Sequence, residues 1–311
     1  MEISLLLVAQ IVQLFLMILV GWVLGRTKIV DQKESKALSQ VVLYAVMPCV
    51  TLNAFQKDVD EQAVKGLLFA GAAAVLAHLI MGLITLVGRK VFKLNGMEQC
   101  SVFYSNAGNL IIPIVGYVLG EEWILYAFAF IVVQQFLLWT HGKSVMSQIK
   151  GFDWKDLVKN VNLIATTVSL LLFLLKIRLP ELVLGTITSM GALFAPMSMI
   201  VTGILLSTMN LKQVFAVKRV YLVAALRLLV CPVLTILAMK LLQMNQWMEQ
   251  APMLLLVVLF ATMTPSASTV VQMAQVYDNE PDKASKINVM TTLLCIITMP
   301  LMVFFYQSIM Q

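Results

Sequence analysis

The chain has 311 residues, 60% of them hydrophobic and only 12% charged, with a net charge of +6 and four cysteines. A soluble domain carries roughly 25% charged residues, so this composition excludes a soluble globular protein. The positive charge sits in loops between apolar runs, and no nucleic-acid partner is expected.

Ten apolar runs of membrane-spanning length follow one another along the chain: 4–25, 38–56, 63–88, 98–118, 122–141, 160–177, 183–208, 216–242, 251–276 and 284–307. The reading is an all-α integral membrane protein of ten transmembrane helices. The first run lacks a preceding basic segment and reads as a retained helix rather than a signal peptide. Pro48, Pro196 and Pro232 fall inside runs and predict kinks. The longest polar stretch, Lys143–Asn160, is a short loop. Cys49, Cys100, Cys231 and Cys295 sit singly in or beside apolar runs, with no C-x-x-C spacing, and read as small buried hydrophobes.

Basic residues orient the runs. With the N-terminus outside, sixteen of the 22 Lys and Arg fall in the inner loops, around Arg26–Lys36, Arg89–Lys93, Lys143–Lys159, Lys212–Arg219 and Lys283–Lys286. Five fall in the outer loops (Lys57, Lys65, Lys176, Arg178 and Lys240), and Arg227 lies within a run. Both termini are therefore expected outside the cytoplasmic membrane of the cell.

Five runs per half force the second half upside down relative to the first. The expected division is a first repeat at 1–142, a short cytoplasmic loop at 143–159 and a second repeat at 160–311. Prolines line up under it: Pro48 with Pro196, and Pro113 with Pro265. The last pair lies in segments where a membrane helix should be smooth, Ser105-Asn106-Ala107-Gly108-Asn109…Pro113 and Thr264-Pro265-Ser266-Ala267-Ser268. Broken helices at corresponding places in two halves point to a carrier's binding site.

Helices restarting at Pro113 and Pro265, with Thr264 as an N-cap, would aim two half-helix N-termini at mid-membrane, where they favour an anion. Asn106, Asn109, Thr264, Ser266 and Ser268 are placed to add hydrogen bonds, as are Gln134 and Gln135. His78, 30 residues after Pro48, and Arg227, 31 after Pro196, are ionisable groups deep in their runs and are functional candidates for that reason. All sixteen acids lie at loops or run ends, so the site suits an anionic or neutral solute.

The runs Tyr44-Ala45-Val46-Met47-Pro48-Cys49, Asn106-Ala107-Gly108-Asn109…Pro113, Ala195-Pro196-Met197-Ser198, Arg227-Leu228-Leu229-Val230-Cys231-Pro232 and Met263-Thr264-Pro265-Ser266-Ala267-Ser268 resemble those of the auxin efflux carrier family, within the bile acid/arsenite/riboflavin-type transporter superfamily. The resemblance covers essentially the whole chain. It implies two inverted five-helix repeats, with helices 4 and 9 broken and crossing at their prolines. It also implies a dimerising scaffold, a transport part that moves as an elevator, and a carboxylate site near Asn109, Pro113 and Pro265. The segment Ala74-Val75-Leu76-Ala77-His78 departs from the lysine and acid of some plant members, and the 143–159 loop is far shorter than theirs.

The leading reading is thus a secondary transporter of a small organic anion, of the carboxylate class, with candidate binding residues Asn106, Asn109, Pro113, Thr264, Pro265, Ser266, Arg227, His78 and Gln134. No cofactor, metal ligand set or enzyme motif is read. A coupling proton or sodium ion stays open. The competing readings are a sodium-coupled symporter of bile-acid-symporter type, with oxygen ligands such as Asn109, Gln134, Thr264 and Gln272, and a channel or non-transporting membrane protein.

Overall fold

The computed structural model describes residues 2–56, 61–148, 159–207 and 217–310. Lys57, Lys150, Lys155 and Lys212 of the charge count, and 149–158 of the predicted loop, lie outside these residues. So do the side chains of Asn109 and Pro113, whose backbone is described. Among the described residues all extended regular structure is helical.

The chain begins with α1 (Glu2–Arg26). Next come α2 (Gln32–Val41), a π turn (Val42–Val46) and α3 (Met47–Ala54), which form one continuous helix. It starts six residues before the predicted 38, because Asp31 and Glu34 form a capping box. The Asp31 carboxylate accepts from the Lys33 and Glu34 N–H groups, and Glu34 accepts from the Asp31 N–H at 2.7 Å. Polar residues between Gln32 and Lys36 hide that start from a hydropathy reading.

The first half continues with α4 (Glu61–Phe92), α5 (Gly96–Phe103), α6 (Ala107–Val118) and α7 (Ile124–Leu137). A π turn, Leu138–Gly142, carries α7 into α8 (Lys143–Ser147), so the first part of the predicted loop is helical. The second half holds α9 (Val161–Leu174), α10 (Glu181–Ala192) and α11 (Phe194–Ser207). It continues through α12 (Lys218–Ala225), a π turn (Leu226–Val230) and α13 (Cys231–Leu241). The last helices are α14 (Ala251–Met263), α15 (Ser268–Val276) and α16 (Pro281–Met310).

The prolines take three forms. Pro48 and Pro232 each follow a π turn by two residues, since proline lacks an N–H and crowds the carbonyl four residues back. Pro196 falls in the first turn of α11, where the missing N–H costs nothing. Pro300 sits inside the unbroken α16.

Six helical segments are long and apolar enough to cross a membrane: Lys33–Asn53, Glu61–Phe92, Ile124–Ser147, Glu181–Ser207, Lys218–Leu241 and Pro281–Met310. Three shorter apolar helices accompany them, Phe15–Arg26, Val161–Leu174 and Ala251–Met263. The molecule is a multi-pass helical membrane protein.

Packing gathers the helices into two sets. α1 lies along α11, and α9 and α10 pack on α3. α1 and α11 touch backbone to backbone: a Cβ on Gly21 would stand 2.1 Å from the Ile200 carbonyl oxygen, and one on Gly203 would stand 2.0 Å from that of Ile18. The other set contains α4 against α7 and α14, with α16 touching α12, α14 and α15. Between the sets run α15 against α2 and α11, and α16 against α1 and α11.

Candidate functional site

The two interrupted helices meet at their breaks. Between α5 and α6 the chain leaves the helix over Tyr104–Asn106, with Tyr104 and Ser105 extended, and between α14 and α15 it is extended over Thr264–Ala267. These stretches pair as an isolated antiparallel bridge, Ser105 opposite Ser266. The Asn106 N–H donates to the Pro265 carbonyl at 2.9 Å, and the Ala267 N–H donates to the Tyr104 carbonyl at 3.0 Å. Each break thereby satisfies part of the other's exposed backbone, which hydrocarbon could not do.

Side chains satisfy more of it. The Ser105 N–H and hydroxyl both donate to Gln134 Oε1, at 2.9 and 2.7 Å, while Gln134 Nε2 donates to the Ser105 carbonyl at 2.9 Å. One amide thus plays the part of a neighbouring strand. On the other break the Ser266 N–H donates to Thr291 Oγ1 at 3.1 Å, and Asn288 Nδ2 donates to the Ser266 carbonyl at 2.7 Å. Asn288 and Thr291, on α16, are absent from the sequence reading. The signal was a polar pair three residues apart on one helix face, hidden among the serine, lysine and threonines of 285–292.

Four helix ends converge here. The C-terminal ends of α5 and α14 are gathered by Arg227, in the π turn between α12 and α13, whose side chain is fully buried. Its Nε donates to the Thr264 carbonyl at 3.1 Å and its Nη1 to the Val102 carbonyl at 3.1 Å. Nη1 also contacts Met81 Sδ at 3.1 Å. Nη2 donates to the Ala261 and Thr262 carbonyls at 3.3 and 3.1 Å. A guanidinium has five N–H donors, and each has a partner. The cation is therefore matched to the partial negative charge of two helix C-termini.

The N-terminal ends of α6 and α15 are dressed differently. Asn106 and Ala267 hold the N-cap positions, and neither of these two side chains makes a cap hydrogen bond. Ser268 Oγ donates to Asn106 Oδ1 at 3.2 Å, tying the two ends together. Among the described residues Glu98 is the one buried acid. It lies at the start of α5, held by Arg219 and Lys283 at 2.8 Å each.

The structure corrects the expected restarts. Thr264 closes α14 as its C-cap rather than opening the next helix, and its hydroxyl donates back to the Ala261 carbonyl at 2.9 Å. Pro265 lies in the extended break, and α15 begins at Ser268, because Asn288 and Thr291 hold Ser266 in extended backbone. α6 begins at Ala107, which puts Pro113 seven residues into the helix. With Ser105 facing Ser266, Pro113 and Pro265 do not occupy equivalent places, and the crossing runs through the two serines.

Asn106, Thr264, Pro265, Ser266, Gln134 and Arg227 are thus brought together. His78 stands apart: its Nδ1 lies 2.7 Å from the Ala74 carbonyl and its ring packs 4.4 Å from that of Phe130. With Leu79, Phe136, His141 and Thr166 it lines a cavity of ≈ 990 Å³ between α4, α7 and α9. It reaches the crossing through Met81, three residues on, and through Phe103 at the end of α5, whose ring centroid lies 5.9 Å from its own. Gln272 Nε2 donates to Ser198 Oγ of α11 at 2.9 Å.

Paired helix breaks, sealed by buried amides and a buried guanidinium within a multi-pass helical bundle, define the class of broken-helix membrane carriers. The model of the family described as membrane transport protein matches residues 6–148 and 143–303. The chain belongs to that family, that of auxin-efflux-carrier-type membrane transporters, and it is a transporter rather than an enzyme. A search of curated proteins gives no match.

Proposed function

We propose that the chain is a secondary transporter of a small organic anion, of the carboxylate class. The observation that carries this reading is the asymmetry of the four helix ends. Arg227 balances the two C-terminal ends, whereas at the two N-terminal ends, Ala107 and Ser268, the side chain in the cap position makes no cap hydrogen bond. A half-helix N-terminus carries about half a positive charge and backbone N–H groups aimed outward. Two such ends side by side, with Glu98 bound elsewhere, suit a carboxylate and repel a cation. Asn106 and Ser268 would orient it, with Asn109 and Pro113 the expected family positions beside them.

In this reading the chain crosses the cytoplasmic membrane ten times as two inverted five-helix repeats, 1–142 and 160–311, with both termini outside. The bridge between Ser105 and Ser266 and the matching support from α7 and α16 favour it, because a twofold relation would bring equivalent breaks together. The set α1, α2–α3 and α9–α11 is the scaffold, through which two copies pair. The set carrying the crossing moves past it as an elevator, taking the anion from one face to the other.

Reconstitution into liposomes with an imposed membrane potential tests the assignment. Efflux of at least one labelled carboxylate from the inside-negative compartment is the expected result, since each charge moved is worth ~2.3 kcal/mol per 100 mV. Flux of cations alone, with none for any anion in the panel, contradicts it.

A further inference from the structure

We propose that Arg227 is a tethered cation, standing at the place where a broken-helix carrier binds a coupling sodium ion, and that transport by this chain therefore needs no sodium. The proposal rests on the carrier reading above and adds how the site is coupled. In such carriers the unwound backbone and the C-terminal ends of half-helices supply the carbonyl oxygens that coordinate a coupling cation. Here those oxygens belong to Val102 at the end of α5, Ala261 and Thr262 at the end of α14, and Thr264 in the break, and a guanidinium nitrogen lies 3.1–3.3 Å from each. The side chain has no exposure to solvent, and its partners are four carbonyls and one thioether.

Burying an unpaired charge is costly unless dipoles replace its hydration. Two converging helix C-termini supply those dipoles, as they would for a metal ion. The guanidinium, unlike an ion, arrives covalently attached and cannot be diluted away. A sodium ion at the same oxygens would have to displace it or sit against a like charge. Thr264, a sodium ligand only in the competing symporter reading, is instead committed to Arg227 through its carbonyl and to its own helix through its hydroxyl.

The test uses purified full-length protein and two readouts, thermal unfolding without substrate and flux in liposomes. For the unaltered chain, replacing sodium chloride by choline chloride at equal ionic strength should change neither Tm nor flux. A sodium-specific rise in Tm, or flux driven by a sodium gradient, overturns the proposal. Arg227→Ala should lower Tm and cut the initial rate by about tenfold or more, as loss of a buried hydrogen-bonded charge does. Ethylguanidinium or sodium at millimolar concentration should then restore part of both, and tetramethylammonium at the same concentration should not. Unchanged Tm and rate in the variant, or a loss that neither cation rescues, overturns it. Arg227→Lys keeps the charge with three donors in place of five, so if the alanine variant does not fold, an intermediate Tm indifferent to sodium supports the proposal and a sodium-dependent one refutes it. The unfolding measurements need no transported solute, so they give an answer even if no carboxylate is carried.

Discussion

Gln134 and Asn288 do for two extended serines what adjacent strands do in a sheet. Replacing Gln134 by leucine leaves the Ser105 N–H and carbonyl buried without their partner. Each such group costs about 1–3 kcal/mol. Gln134→Leu should therefore lower the thermal stability of the purified protein more than Asn288→Leu, which strands only the Ser266 carbonyl. Equal, negligible shifts in both would show that the breaks are held by other contacts. Gln134 was legible in the sequence because an amide in an apolar run has no cheap partner in lipid. Asn288 was not, because its neighbours are polar enough to resemble a helix start. Arg227 was legible as a deep charge, but its partners are backbone carbonyls, which carry no residue identity in a sequence. The prolines misled for a related reason: Pro113 and Pro265 mark irregular segments, while the place where each helix restarts depends on which side chain holds the serine beside it.

Among the helices, the most extensive contact is that of α1 with α11 in one set, followed by that of α4 with α7 in the other. The α1–α11 contact depends on Gly21 and Gly203, where any Cβ meets carbonyl backbone that has no rotamer to move. Gly203→Ala should force these helices apart and cost about 1–3 kcal/mol, read as a lower Tm. An unchanged Tm would mean that α1 is not held there. Between the sets the polar ties among described residues fall on α15. Ser39 Oγ donates to Gln275 Oε1 at 2.7 Å, Gln275 Nε2 donates to Ser35 Oγ at 3.1 Å, and Gln272 bonds Ser198. If the sets slide in transport, these bonds must break in each cycle. Gln275→Leu should then shift spin-label distances between α2 and α15 toward longer, broader distributions and change the maximal flux by a few-fold, at about 1 kcal/mol per hydrogen bond lost. Unaltered distances and flux would argue against sliding along this seam. The start of the α2–α3 helix was legible in its D-x-x-E box but hidden from hydropathy, and the pairing of α15 with α2 had no sequence signal.

For the molecule entire, composition and run length lead directly to a multi-pass helical bundle, and the family match makes it a membrane transporter. How the helices divide into sets was not readable from hydropathy, since a lipid-facing leucine and one facing another helix look alike in a chain that is apolar throughout. The central claim is that the positive ends of α6 and α15 receive an anion while Arg227 secures the negative ends of α5 and α14. Cryo-electron microscopy of the protein with a carboxylate that it transports tests this most directly. The account predicts anion density within hydrogen-bonding distance of the first-turn N–H groups at Ala107 and Ser268, beside Asn106, with Arg227 still on its carbonyls. Density bound instead to Arg227, or in the cavity beside His78 with none at the crossing, would contradict it.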